Sequence, residues 1–253
     1  MNTRRTGRFI EDFPATAGLL LVIIGFFALE MVLHSKVPDD AQANLFTALG
    51  SPRTDVLLSM GATRAKDLFK TFEVWRLVSA CFLHAGILHL LMNCWVLVDL
   101  GRTWEPKLGF HRFIASYMFC GVFANVLGNV YRHLYDKPNV AIGASGALAG
   151  LIGMLLAHAI RHKDTALRDH IVRWLIYIAL FSFLLYDKLD HAGHIGGLVT
   201  GFALGWFVPR YTSSSSAKRW RIPGWIAIAA TAVALGFSLW SMFQAIVSWQ
   251  QGN

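Results

Sequence analysis

The chain has 253 residues, 55% hydrophobic and only 15% charged, with a mean hydropathy of +0.47. That balance excludes an ordinary water-soluble domain and points to a membrane protein. The net charge of +8 does not mark a nucleic-acid binder, because Lys and Arg fall mainly between the apolar runs, where basic residues set membrane orientation.

Residues 1–13 form a short tail with Arg4, Arg5 and Arg8, followed by an apolar run over 14–33 that is about long enough to span a bilayer. Ala41-Gln42-Ala43 resembles a signal-peptide cleavage site but lies too far beyond that run, so the run is read as a first transmembrane helix. Residues 34–83 form a long first external loop. Its Leu45-Phe46, Val56-Leu57-Leu58 and Trp75-Arg76-Leu77-Val78 suit either an amphipathic element in the interface, with Trp75 and Arg76 anchoring at headgroup depth, or a folded external loop.

Further apolar runs follow near 84–102, 111–132, 144–160, 169–186, 192–208 and 223–248, giving seven predicted spans. The second carries His84, His89, Asn93 and Asp99, a polarity expected of groups that face a bundle interior or a wet cavity. A polar linker over 210–222 separates the last helix, residues 223–253, from a core over 14–209, so the seventh helix reads as an appendage. Placing the N-terminus in the cytoplasm puts 14 of the 23 basic residues inside, and six of the rest share the long loop, which counts for little. The expected topology is a cytoplasmic N-terminus and an external C-terminus, in the cell (inner) membrane.

The odd set Cys81, Cys94 and Cys120 has neither metal nor disulfide spacing and reads as packing. Gly143-Ala144-Ser145-Gly146, with Gly150 and Gly153 beyond, opens the fourth span. Gly146, Gly150 and Gly153 make a face that another backbone can approach, and Ser145 sits where free N–H groups and the helix dipole favour a developing negative charge. A serine at that place is also an ordinary N-cap. The sixth span offers His194 at the head of a second small-residue face, Gly197 and Gly201. A serine hydroxyl needs an imidazole to accept its proton, and two glycine-faced helices can bring the pair together. A histidine satisfied within the bundle is the blander alternative.

Spans two, four and six run in the same direction, so His84, His89, Asn93, Ser145 and His194 converge on the outer leaflet. The fourth span, about 25 Å long in a core of about 30 Å, starts below the surface. His89 and Asn93, four residues apart, project from one helix face toward the position an oxyanion would occupy, unless they merely glue helices together.

These residues, taken with Glu73-Val74-Trp75-Arg76-Leu77, Phe82-Leu83-His84-Ala85-Gly86, Gly101, Glu105, Gly109, Asp190 and His194-Ile195-Gly196-Gly197, occur in the order seen in rhomboid intramembrane serine proteases, and the chain resembles that family. The resemblance implies an all-α polytopic membrane protein: a six-helix transmembrane bundle with an additional C-terminal transmembrane helix. It further implies a Ser145–His194 catalytic dyad without an acid, and an oxyanion site from His89, Asn93 and the Ser145 backbone. Trp75, Arg76, His84, Gly143, Gly146, Gly197 and Gly201 would serve structure or substrate access. Substrates would be transmembrane proteins met in the lipid bilayer, cut without cofactor or metal.

Two positions depart from the family pattern. Ala149 stands where many members carry an aromatic that stacks on the histidine, and Gly193 replaces the usual alanine before it. A non-proteolytic relative that binds membrane clients is the alternative, though it normally lacks the serine or the histidine. His191 with His194, and His158 with His162, lack the His-Glu-x-x-His pattern of a metalloprotease. Pseudo-repeated halves with broken helices, the mark of a transporter, are not apparent.

Overall fold

The computed structural model describes residues 9–34, 53–137, 139–184, 190–209 and 218–251. Each of the seven apolar runs is a helix: α1 (Pro14–His34), α2 (Ile87–Leu108), α3 (Phe110–Leu134), α4 (Ser145–Arg161), α5 (Thr165–Leu184), α6 (His191–Trp206) and α7 (Arg221–Gln250). No strand is formed among the described residues, only a single bridge between Thr63 and Ala141. The signal-like Ala41-Gln42-Ala43 lies outside the described residues, as does most of the polar linker. Where the linker is described again, Lys218 and Arg219 are already helical, and α7 starts at Arg221.

Among the described residues three helices, α1, α3 and α7, are long and apolar enough to cross a membrane. Helix α2 meets that measure jointly with the segment Arg76–Phe82, to which it is bent by 94°. The others fall short for identifiable reasons. Helix α4 has 17 residues and α6 has 16, while α5 carries Arg168, Asp169 and Arg173 in its first half. Such short or polar helices are tolerated where neighbouring protein covers them.

Helix α4 is the axis of the bundle, packed by α6, α3, α5 and α2, and its residues 147–155 are all buried. The tightest contact is with α6. A side chain on Gly197 would strike the carbonyl of Gly146, one on Gly201 that of Gly150, and one on Gly205 that of Met154. The same register thus repeats over three successive turns, and the two backbones touch without side chains between them. In a bilayer, where apolar side chains gain little by leaving lipid, such close approach is a main source of helix association.

Helix α1 is tied to α2 by chemistry rather than by area. Pro14 opens the helix with φ already set, and the buried Glu105 of α2 receives the N–H of Ala15 (2.8 Å), the N–H of Thr16 (2.9 Å) and the Thr16 hydroxyl (2.6 Å). A carboxylate there satisfies orphan donors and complements the helix dipole. Gly101 lies directly beneath Thr16.

The described part of the long loop is a folded unit. Short helices at Thr54–Ser59, Ala65–Phe69 and Arg76–Ser79 enclose a small core of Val56, Leu57, Met60, Ala62, Leu33 and Leu83. Arg76 is 8% exposed. Its guanidinium donates to Leu58 O (2.6 Å), Ala62 O (3.0 Å) and the Glu73 carboxylate (2.7 Å). Arg76 is thus an internal clasp of the loop, because five donors in one fork can satisfy several carbonyls that a turn leaves unpaired. Beside it, the hydrogen-bonded Asp67 raises the pKa of Arg64 above its ordinary value.

Trp75 likewise faces protein, stacking on Phe237 of α7 with ring centroids 6.0 Å apart. Helix α7 is more than an appendage. Its Gly224 sits against His111 of α3, and its Met242, Ile246 and Trp249 cover the core of the loop.

Candidate active site

The serine is presented by a loop held on both sides. Thr63 and Ala141 exchange backbone hydrogen bonds (3.1 and 2.8 Å), and the N–H of Gly143 donates to Ala80 O at 2.8 Å. Gly143 then turns the chain into α4 with φ +115°, where a side chain would be strained and would also strike the His89 ring. Ala144, not Ser145, is the N-cap of α4, and no side chain caps the helix. The serine is therefore the first residue inside the helix, and its hydroxyl is not spent on capping.

That hydroxyl instead meets His194: Oγ and Nε2 are 2.7 Å apart. With the imidazole proton on Nδ1, Ser145 donates to Nε2, the polarity needed for proton removal. His194 Nδ1 has no hydrogen-bond partner among the described residues, so no described carboxylate orients it. What holds it is the frame of α6. Asp190 caps that helix by accepting the Gly193 N–H at 3.0 Å, and its carboxylate forms an ion pair with the buried Arg132 of α3. The two departures from the family pattern have different outcomes. Gly193 is accounted for, because a methyl group there would strike the Asp190 carboxylate. Ala149 is buried and stacks on nothing, leaving the imidazole located by its helix and by Ser145.

His89 lies against Gly143, next to Ser145. Its Nδ1 accepts the N–H of Ala85 at 3.3 Å, which places the proton of the neutral ring on Nε2 and makes that nitrogen a donor. Asn93, one turn further along α2, is buried at 5% exposure, and its Nδ2 has no partner among the described residues. Asn93 Nδ2 is thus a buried amide donor left unspent, four residues along the same helix from His89. His84 stands one step back, before α2 rather than within it. It is fully buried, with its ring centroid 5.1 Å from that of His89 and its N–H directed at the buried Glu30.

Gly146, Gly197 and Gly201 lie in the α4–α6 seam beneath the pair, while Trp75 and Arg76 belong to the loop unit. Arg132 and the Ala85 N–H were not anticipated from sequence. A charged residue late in α3 carries no local sign that its partner caps another helix. The three cysteines are free, with Cys81 and Cys120 buried and Cys120 packed under Gly150. No group of three metal-ligating side chains occurs among the described residues.

A helical membrane bundle in which a serine at a helix start meets a histidine of the neighbouring helix has the plan of an intramembrane protease. The chain belongs to the rhomboid family, whose domain model, described as Rhomboid domain, matches residues 71–211. It is 30% identical over 222 residues to Rhomboid-like protease 2 of Toxoplasma gondii, covering 84% of this chain and 74% of that protein. It is 34% identical to RHOMBOID-like protein 6, mitochondrial, of Arabidopsis thaliana, over 62% of this chain and 51% of that one. With Rhomboid protease GluP of Bacillus subtilis the identity is 33%, over 60% of this chain and 29% of the relative. The chain thus spans about half, or less, of the length of several relatives that it matches.

Proposed function

We propose that the protein is a serine endopeptidase that hydrolyses peptide bonds in or near transmembrane segments of other membrane proteins. The observation that carries this reading is the 2.7 Å contact between Ser145 Oγ and His194 Nε2 at the uncapped start of α4. A substrate segment enters from the lipid and unwinds locally, since a helical peptide bond is shielded. Ser145 attacks its carbonyl as His194 takes the hydroxyl proton. The oxyanion is stabilised by His89 Nε2–H, Asn93 Nδ2–H and the N–H of Ser145, and His194 then protonates the leaving amine. Water, with His194 again as base, releases the acyl group.

The test is cleavage of a single-pass substrate in proteoliposomes. Wild type is expected to cut, and His89→Ala and Asn93→Ala each to lower kcat by about 10²-fold with KM little changed, since their hydrogen bonds form only with the oxyanion. An inert wild type whose Ser145 and His194 are intact would favour the client-binding alternative.

The six-helix core is proposed to cross the membrane with the N-terminus in the cytoplasm, and α7 to return the C-terminus to the outside. Reporter tags at the two ends check this: a cytoplasmic signal from the C-terminal tag would refute seven crossings.

A further inference from the structure

At the end of the bundle away from Ser145, a cavity of about 290 Å³ opens where α3 begins, α6 ends and the chain enters α7. Two arginines line it, Arg112 of α3 and Arg219 just before α7, together with Ser116, Trp220, Met154 and Leu204, and no carboxylate is among its described lining residues. Arg112 is only 3% exposed, and its guanidinium lies over the Trp220 ring, 5.1 Å from the centroid. Ser116, one helical turn along the same face, is 2% exposed, and its hydroxyl has no hydrogen-bond partner among the described residues.

Arg112, buried, and Arg219, exposed, line one space, and an anion between their guanidiniums offsets their mutual repulsion. Stacking on Trp220 holds the Arg112 fork in one plane, the geometry that matches two oxygens of a phosphate. The Ser116 hydroxyl supplies a third donor at the buried end. Met154 and Leu204 give an apolar wall that a free inorganic anion would not use and that the glycerol and first methylenes of a lipid would. Basic pockets between transmembrane helices at one membrane surface recognise acidic headgroups for these reasons.

We propose that this cavity binds the phosphate of an acidic phospholipid, with Arg112, Arg219 and Ser116 as its ligands. An anion there bridges α3 to the entrance of α7, so occupancy also tightens the seventh helix onto the core. Nothing in this proposal depends on the proteolytic reading.

The test uses the full-length protein, stripped of lipid in a non-ionic detergent and titrated with phosphatidylglycerol, phosphatidylcholine or inorganic phosphate. Bound lipid is counted by native mass spectrometry, and thermal unfolding is followed alongside. One phosphatidylglycerol is expected to bind at least about tenfold more tightly than phosphatidylcholine, and to raise the unfolding temperature. Arg219→Gln and Ser116→Ala are each expected to weaken it by about five- to tenfold, as is Arg112→Lys, which keeps the charge and loses the fork. Arg219 is exposed, so its variant tests the site without disturbing the core.

Lys218, exposed and outside the cavity lining, is the control. An equal loss in Lys218→Gln would mean general surface charge and overturn the site. Equal binding of phosphatidylcholine, or full binding in the Arg219 and Ser116 variants, would overturn it as well. Inorganic phosphate giving the same stabilisation at millimolar concentration would overturn the lipid assignment in favour of a free-phosphate site.

Discussion

Ser145→Ala is expected to leave the protein folded and to lower cleavage of a transmembrane substrate by about 10⁴-fold or more. The serine is half-buried, and its hydroxyl touches only His194 among the described hydrogen-bond partners, so its removal costs one exposed-edge hydrogen bond, on the order of 1 kcal/mol of stability. The chemical loss is far larger, because without Oγ no acyl-enzyme can form and the oxyanion donors have nothing to act on. His194→Ala is expected to fall to a similar level, and the double variant no further, since nucleophile and base act as one unit. The measurement is the initial rate in proteoliposomes, with unfolding temperature as the fold control. Either single variant cutting as fast as wild type would end the dyad assignment.

The second large effect is structural. In Gly201→Val the new Cβ would lie on the carbonyl of Gly150, a rigid backbone group that cannot rotate away. The two helices must separate, and the loss spreads to the Gly197–Gly146 and Gly205–Met154 contacts in the same register. The expected destabilisation is about 3–5 kcal/mol, or roughly 10 °C in unfolding temperature. Activity is expected to fall with it, because the same seam sets the distance between Ser145 and His194. Gly18→Ala on α1, where a Cβ would meet nothing within 4 Å, is the neutral counterpart. A Gly201→Val protein that melts like wild type would show that the seam is not a main source of stability.

What the amino acids disclose locally proved readable. Runs of apolar residues marked all seven helices, because in a membrane protein hydropathy and helix coincide. The pairing of α4 with α6 was legible in the four-residue spacing of Gly197 and Gly201 against Gly146 and Gly150, and that pairing brings Ser145 to His194. Contacts between distant segments were not readable in this way. Arg76 has the residue type and position of an interfacial anchor, yet its donors go to carbonyls of Leu58 and Ala62 that only the folded loop brings within reach. Arg132 pairs with Asp190 across two helices, and the tautomer of His89 depends on one backbone N–H of Ala85. Periodicity reports which face of a helix is apolar. It does not report which partner a buried polar group will choose.

The exchange of hydrogen bonds between Thr63 and Ala141 links two parts that sequence order keeps far apart. On one side is the loop unit clasped by Arg76 and leaned upon by α7 through Trp75 and Phe237. On the other is the short strand of chain that ends at Ser145. Hydrogen-bonded segments open as cooperative blocks, so the amides of Thr63, Ala141 and Gly143 should lose their solvent protection together. A loosened turn in that unit would therefore first release the tether of the nucleophile, with the long helices still in place.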